Sequence, residues 1–198
     1  MVEESARAPA RTRLLDAAEE LFYERGIAAT GVDSVLRRAH VAPATLYAHF
    51  AGKDHLVAAY LQRRHERWWD VWDDVLERCG DDPVRRALSV FDALAELGSR
   101  SRTGRGCAFL GAAVEITDPD HPAHAWLVTG NRLLTDRLRE LAAGTGALDA
   151  DALAAELLLL YDGELAAGRR RATGGSPPPS VAVRDLAAAA VDRHRRAG

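Results

Sequence analysis

An all-α protein of about nine helices is expected, three short ones followed by about six longer ones. Apolar residues recur three and four apart through almost every segment, the period of a helix face. No stretch alternates apolar and polar residues as a half-buried strand would. The breaks between periodic runs also carry helix-start and helix-stop chemistry. A chain of 198 residues with 47% hydrophobic content can bury a substantial core. The runs divide it into an N-terminal bundle over 1–52 and a larger helical part over 53–198.

Residues 1–9 read as a loose arm carrying Arg7. The first helix is expected over about 10–25, with Leu14, Leu15, Ala18, Leu21 and Phe22 facing inward and Gly26 just past its end. The second is expected to begin at Thr30, whose hydroxyl would cap the Asp33 amide in a weak capping box. Val32, Val35, Leu36 and Ala39 form its apolar face, and Arg37 and Arg38 lie off it. His40-Val41-Ala42 is the turn. Pro43 suits the first turn of a third helix, which runs to about Phe50 with Leu46 and Phe50 pointing inward. After Ala51-Gly52 a long helix carries Leu56, Val57, Tyr60, Leu61, Trp68, Trp72, Val75 and Leu76 as far as Cys79.

Asp82 and Pro83 cap and start the next helix, to about 98, and a polar loop over 98–106 follows. The run Cys107 to Ile116 is apolar on most sides, which predicts a central, buried helix with Glu115 as its one charge. Thr117 to Pro122 breaks it. Helices are then expected over 122–143, with Trp126, Leu127, Leu133, Leu134, Leu138 and Leu141, and from Asp149 to about 171, with Leu153, Leu157, Leu158, Leu160, Tyr161 and Leu165. A Pro/Gly linker over 174–180 precedes a last helix over 181–196, whose basic end suits a helix C-terminus.

Two short helices joined by a tight turn over residues 30–50 have the spacing of a helix-turn-helix. The outward residues of the second are small or hydrogen-bonding, so it can approach base edges closely. The run Gly26-Ile27 with Thr30, then Val35, Ala39 and Val41, then Thr45-Leu46-Tyr47-Ala48-His49-Phe50, then Lys53-Asp54 and Leu56, resembles the TetR/AcrR family of transcriptional regulators. The likeness covers roughly residues 10–60. Two departures stand out. His40 occupies a turn position where the family usually has Gly, though His tolerates positive φ better than most residues. Ala42 replaces a Ser cap, a loss of about 1 kcal/mol of local stability.

The resemblance implies a homodimeric, ligand-responsive repressor whose partners are a double-stranded DNA operator and a small-molecule effector. Pro43, Ala44 and Thr45 would approach bases, and Thr30, Thr45, Tyr47, His49 and Lys53 would anchor phosphates. A two-fold dimer would read half-sites roughly 34–36 Å apart. The family plan puts dimerisation on the last two helices, with Leu157, Leu160 and Leu165 as candidate contacts. It also implies an effector cavity, for which Trp68, Trp72, Phe91, Phe109, Glu115, Trp126 and Tyr161 are the candidates. Effector binding would tilt the 53–79 helix and mismatch the two reading heads.

Net charge is −3, which argues against bulk electrostatic coating of nucleic acid. Residues 1–53 hold seven basic side chains (Arg7, Arg11, Arg13, Arg25, Arg37, Arg38, Lys53) against seven acidic ones. DNA affinity must therefore come from placement. Cys79 and Cys107 offer no metal or disulfide spacing, which suits a reducing cytoplasm. No apolar run is long enough for a bilayer, and the N-terminus has no signal-peptide h-region. No cofactor is implied.

Each side-chain candidate has a plainer reading. Any single aromatic is more often core or dimer packing than cavity lining. The adjacent Trp68 and Trp69 are not expected to share one core. For Glu115, pairing with an Arg such as Arg137, or capping a neighbour, is favoured over effector binding. Asp118, Asp120, His121 and His124 have a possible metal spacing, but two prolines interrupt them and loop chemistry explains them better, so no metal site is assigned. No Ser/His/Asp set, phosphate loop or carboxylate pair supports catalysis. The alternative is a ligand-binding helical protein or enzyme with a vestigial helix-turn-helix, which would show no salt-dependent, sequence-specific DNA binding.

Overall fold

The computed structural model describes residues 8–100, 107–172 and 182–195. The arm at Arg7, residues 101–106 of the expected loop and the 174–180 linker lie outside them. Within the described residues the fold is all-α, with nine helices and no strand. They are α1 (Ala10–Arg25), α2 (Val32–Ala39), α3 (Pro43–His49), α4 (Lys53–Cys79), α5 (Pro83–Arg100), α6 (Ala108–Glu115), α7 (His124–Gly144), α8 (Ala150–Ala172) and α9 (Val183–Arg195). Helix α5 runs to Arg100, two residues past its expected end near 98.

The described chain forms two compact units. One gathers the residues up to His65 with Cys107–Thr129, and the other gathers Glu66–Arg100 with the residues from Gly130 onward. The N-terminal bundle therefore has α6 and the start of α7 packed with it.

In the first unit, Leu14, Leu15, Ala18, Leu21 and Phe22 of α1 are buried as their spacing predicts. Leu46 (0% exposed) and Phe50 bury the inner face around α3, and Leu56, Val57, Tyr60 and Leu61 supply the start of α4. Phe22 and Tyr60 meet edge-on, with ring centroids 5.5 Å apart. Burial pushes the Tyr60 phenol up to about 12. A charged brace ties α1 to α4. The Arg63 guanidinium donates to the Asp16 carboxylate (2.6 Å), the Glu19 carboxylate (2.5 Å) and the Leu15 carbonyl (2.8 Å), and Arg64 adds a contact to Glu19 at 3.2 Å.

Helix α6 departs from its expectation. Ala112 is buried and Ile116 joins the core of this unit, but Leu110 is 43% and Val114 78% exposed, and Glu115 is exposed too. The helix lies on the bundle by one face instead of being surrounded. The segment after it is loop chemistry. Asp118 accepts the Asp120 amide, His121 Nδ1 accepts the Ala123 amide, and His121 Nε2 faces Asp54 at 3.4 Å.

In the second unit, Trp72 (0% exposed) sits at the centre of a core that includes Val71, Val75, Leu88, Phe91, Leu138, Leu153, Leu157 and Val191. Trp68 and Trp69 both pack against it, contrary to the expectation that they could not share a core. Their ring centroids lie 5.6 and 5.4 Å from that of Trp72, one tilted and one stacked. Positions three and four residues back along a helix flank the same side chain, so adjacency in sequence does not force one of them away. Arg137 lies 3.9 Å over the Trp69 ring and bonds Asp73, so it is not the partner of Glu115.

Local start signals hold in this unit. Asp82 accepts the amides of Val84 and Arg85 at 2.9 and 3.0 Å, and Asp149 accepts that of Ala152 at 2.9 Å. Helices α8 and α9 pack together, tied by Glu156 to Arg193 and His194. Burial pushes the Glu156 carboxyl up, but the His194 hydrogen bond and the Arg193 charge outweigh it, and the net direction is down.

Candidate nucleic-acid interface

The interface is built on a turn that the backbone closes completely. Helix α2 ends at Ala39, and His40 takes the left-handed conformation, φ 53° and ψ 51°. The His40 amide bonds the Arg37 carbonyl at 3.4 Å and the Val41 amide the Leu36 carbonyl at 3.2 Å. This pair is the Schellman arrangement, and Val41 and Leu36 are the apolar positions that usually accompany it. Arg13 of α1 donates to the His40 carbonyl at 3.3 Å and braces the turn from outside. The histidine is thus accommodated without glycine.

Helix α3 starts with Pro43 at its first position and Ala42 extended at the cap, where no side-chain bond forms. Replacing Ala42 with Ser should supply the missing acceptor for a first-turn amide. We expect a gain of about 1 kcal/mol, read by thermal unfolding. Unchanged or lowered stability would show that the cap amides are already served.

Around the buried Leu46, the face of α3 turned to solvent carries Pro43, Ala44, Tyr47, Ala48 and His49. Tyr47 is 63% exposed, the largest aromatic surface left open by this unit. Thr45 is half-buried at the edge of the face, and Lys53 is half-buried at the first residue of α4. Six of the seven residues expected to meet DNA thus lie at least partly open to solvent. Thr30 does not. It is 1% exposed, and its hydroxyl donates inward to the Gly26 carbonyl at 2.7 Å and the Leu21 carbonyl at 3.2 Å. Gly31 occupies the cap position of α2 without a side-chain bond, so the expected capping box is absent and the helix starts at Val32. Thr30 braces the α1–α2 corner and has no hydroxyl proton to spare for a phosphate.

Basic groups line two shallow, open grooves of this unit. One, of about 330 Å³, is lined by Arg25, Ser34, Arg37, Arg38 and His40. The other, of about 260 Å³, is lined by Arg11, His49 and His55 among others. Arg38 is held by Glu20 at 2.6 Å, and Arg11 lies 5.4 Å over the Phe50 ring. The even charge balance of this region resolves into placement, because the acidic Asp16 and Glu19 are turned to Arg63 and Arg64. Sequence spacing gave no sign of that brace, since its partners lie more than 40 residues apart.

The other candidates separate. Trp68, Trp72, Phe91 and Tyr161 belong to the core of the second unit, whereas Phe109 and Trp126 pack on the first, both beside His65. Trp72, Phe91 and Tyr161 are buried, and Trp72 spends its indole N–H on Ser89. All three pack into the core of the second unit. Glu115 bonds the α1–α2 loop. Of the dimer candidates, Leu157 is 0% exposed inside its own protomer and cannot meet a second copy, while Leu160 and Leu165 are half-buried. Among the described residues, the large apolar side chains left open on α8 and α9 are Leu159 (72%) and Leu186 (47%).

Comparison with known proteins decides what this arrangement belongs to. The profile of bacterial regulatory proteins of the tetR family matches residues 14–60. The crystal structure of SCO4454, a TetR-family transcriptional regulator from Streptomyces coelicolor, superimposes with a TM-score of 0.80 and is 33% identical, covering 94% of both chains. The chain belongs to the TetR family. Its members are transcriptional regulators, not enzymes. The HTH-type transcriptional regulator UidR of Escherichia coli (strain K12) is 37% identical over 59 residues, 30% of each chain. The HTH-type transcriptional repressor DhaR of Mycobacterium sp. (strain GP1) is 29% identical over 112 residues, 57% of this chain and 54% of DhaR. The chain thus spans about a third of the one and half of the other in these matches. Among the described residues of this TetR-family chain, no helix is long and apolar enough to cross a membrane.

Proposed function

We propose that this TetR-family protein is a homodimeric repressor that reads a palindromic operator and is released by a small-molecule effector. The observation that carries the reading is the outer face of α3, where small residues at its start are followed by an open Tyr47 and His49 over a buried Leu46. Pro43, Ala44 and Thr45 let the helix approach base edges. Tyr47, His49 and Lys53 supply hydrogen bonds and charge to the phosphates on either side. Arg11 shares a groove with His49 and extends the positive surface beside it.

Repression is the mode the name of DhaR carries. Dimerisation through α8 and α9 is supported by Leu159 and Leu186, apolar side chains open on both helices. The effector reading rests on Trp68 and Trp69, aromatic surfaces that the second unit leaves half-buried. The effector must bind one state more tightly than the other, by about 1–3 kcal/mol, to shift operator affinity. In this reading residues 1–52 form the reading head and 53–198 serve effector and partner.

The test is selection of random duplex DNA by the purified protein, read by sequencing. One enriched palindrome is expected, and its affinity should fall steeply with salt, with a slope of about −0.9 per phosphate neutralised. A duplex carrying that palindrome should bind two protomers. No enrichment at any salt concentration would overturn the reading.

A further inference from the structure

Glu115 closes helix α6 onto the reading head. Its Oε1 accepts the Ile27 amide at 3.1 Å and its Oε2 the Ala28 amide at 2.5 Å. Those amides form the corner between α1 and α2. Gly26 precedes them with φ 94°, and a Cβ there would lie 3.1 Å from Glu115 Oε1. The corner is thus glycine for two reasons, its backbone and the carboxylate seated against it. The same corner holds the inward Thr30 hydroxyl on the Gly26 carbonyl, and α2 begins two residues later. A change in the pose of residues 26–30 moves α2, and with it the turn that aims α3.

Glu115 is exposed, so burial does not force it to find partners. Water would satisfy the carboxylate equally well. Its bidentate grip on two consecutive amides, 87 and 88 residues away, ties position instead. The tie does not act alone. Ala112, Ile116 and Ala123 are buried in the same core as Leu46 and Phe50, and His121 faces Asp54 at the start of α4. The segment 107–124 therefore grips the reading head at the α1–α2 corner, through the core and at the root of α4.

We propose that Glu115 is a positioning residue for DNA reading, the latch through which the 107–124 segment sets the pose of the α1–α2 corner. The inference rests on the DNA-reading assignment and adds to it a residue outside the helix-turn-helix. Coupling of this kind is reciprocal, so operator binding must also be felt at α6.

The experiment uses the full chain and the duplex recovered by selection. Operator affinity is measured for wild type, Glu115→Ala and Glu115→Gln, with amide hydrogen exchange of residues 26–30 and 108–115 in the presence and absence of duplex. We expect Glu115→Ala to weaken operator binding roughly tenfold, within the 5- to 150-fold range of typical coupling. Operator should slow exchange in α6 of the wild type and leave α6 unchanged in Glu115→Ala. Glu115→Gln keeps the shape and one acceptor, so it should fall between them, and it serves as the readout if the alanine variant does not fold. Wild-type affinity in both variants would overturn the latch. So would lost affinity that merely tracks a lowered melting temperature while α6 still responds to operator. If the wild type itself binds no duplex, the DNA-reading assignment fails first and the latch with it.

Discussion

Replacing Trp72 with alanine is expected to lower unfolding stability by about 3–5 kcal/mol, the usual cost of removing a large aromatic side chain from a packed core. Trp72 is 0% exposed, stacked against Trp69, tilted against Trp68 and within 5.0 Å of the Arg137 guanidinium. Its indole N–H donates to Ser89 Oγ at 2.8 Å, and the Ser89 hydroxyl, also 0% exposed, donates onward to the Arg86 carbonyl at 2.6 Å. The alanine variant loses the packing and leaves the Ser89 oxygen short of a donor. Trp72→Phe keeps most of the packing and loses the hydrogen bond, so it should cost less, about 1–2 kcal/mol. Urea unfolding followed by circular dichroism, at one fixed protein concentration, separates the two. A loss below about 1 kcal/mol for the alanine variant would contradict a packed core at this position and reopen the case for a cavity.

That contrast marks where sequence stops being sufficient. Local chemistry was legible. The ends of α1, the caps at Asp82 and Asp149 and the left-handed His40 depend on residues within a few positions of one another. The outer face of α3 was legible for the same reason. Periodicity, however, reports that a face is apolar and not what it meets. Helix α8 carries Leu157-Leu158-Leu159-Leu160-Tyr161, apolar on every side, so nothing in its sequence says that Leu157 turns inward and Leu159 outward. Helix α6 is equally apolar, yet it uses one face on the first unit and leaves Val114 open. Thr30 was misread because a threonine before a helix suits either a cap or a corner brace. The Leu21 and Gly26 carbonyls that settle it are brought within reach only when α1 and the corner fold together. The grips of Arg63 and Glu115 join partners 44 to 88 residues apart and leave no local signal at all.

Adjacent residues of α3 should then fail in opposite ways. Leu46→Ala is expected to cost about 2–5 kcal/mol, because Leu46 is 0% exposed in a small bundle that has few side chains to spare. Operator binding in that variant should fall because the head unfolds, and it should recover on cooling towards maximal stability. Tyr47→Ala removes a side chain that is 63% exposed and holds nothing in the core. Its stability should stay within about 0.5 kcal/mol of wild type, as for most surface changes. Its operator affinity should fall about 10-fold or more, the loss of roughly one charged hydrogen bond of 1.5–3 kcal/mol to a phosphate. Tyr47→Phe distinguishes ring from hydroxyl: if the phosphate bond is what matters, it binds as weakly as the alanine variant. A Tyr47→Ala protein that melts like wild type and binds its operator at wild-type affinity would remove Tyr47 from the interface. The same result at Leu46 would show that the buried face of α3 is not what holds the reading face in place.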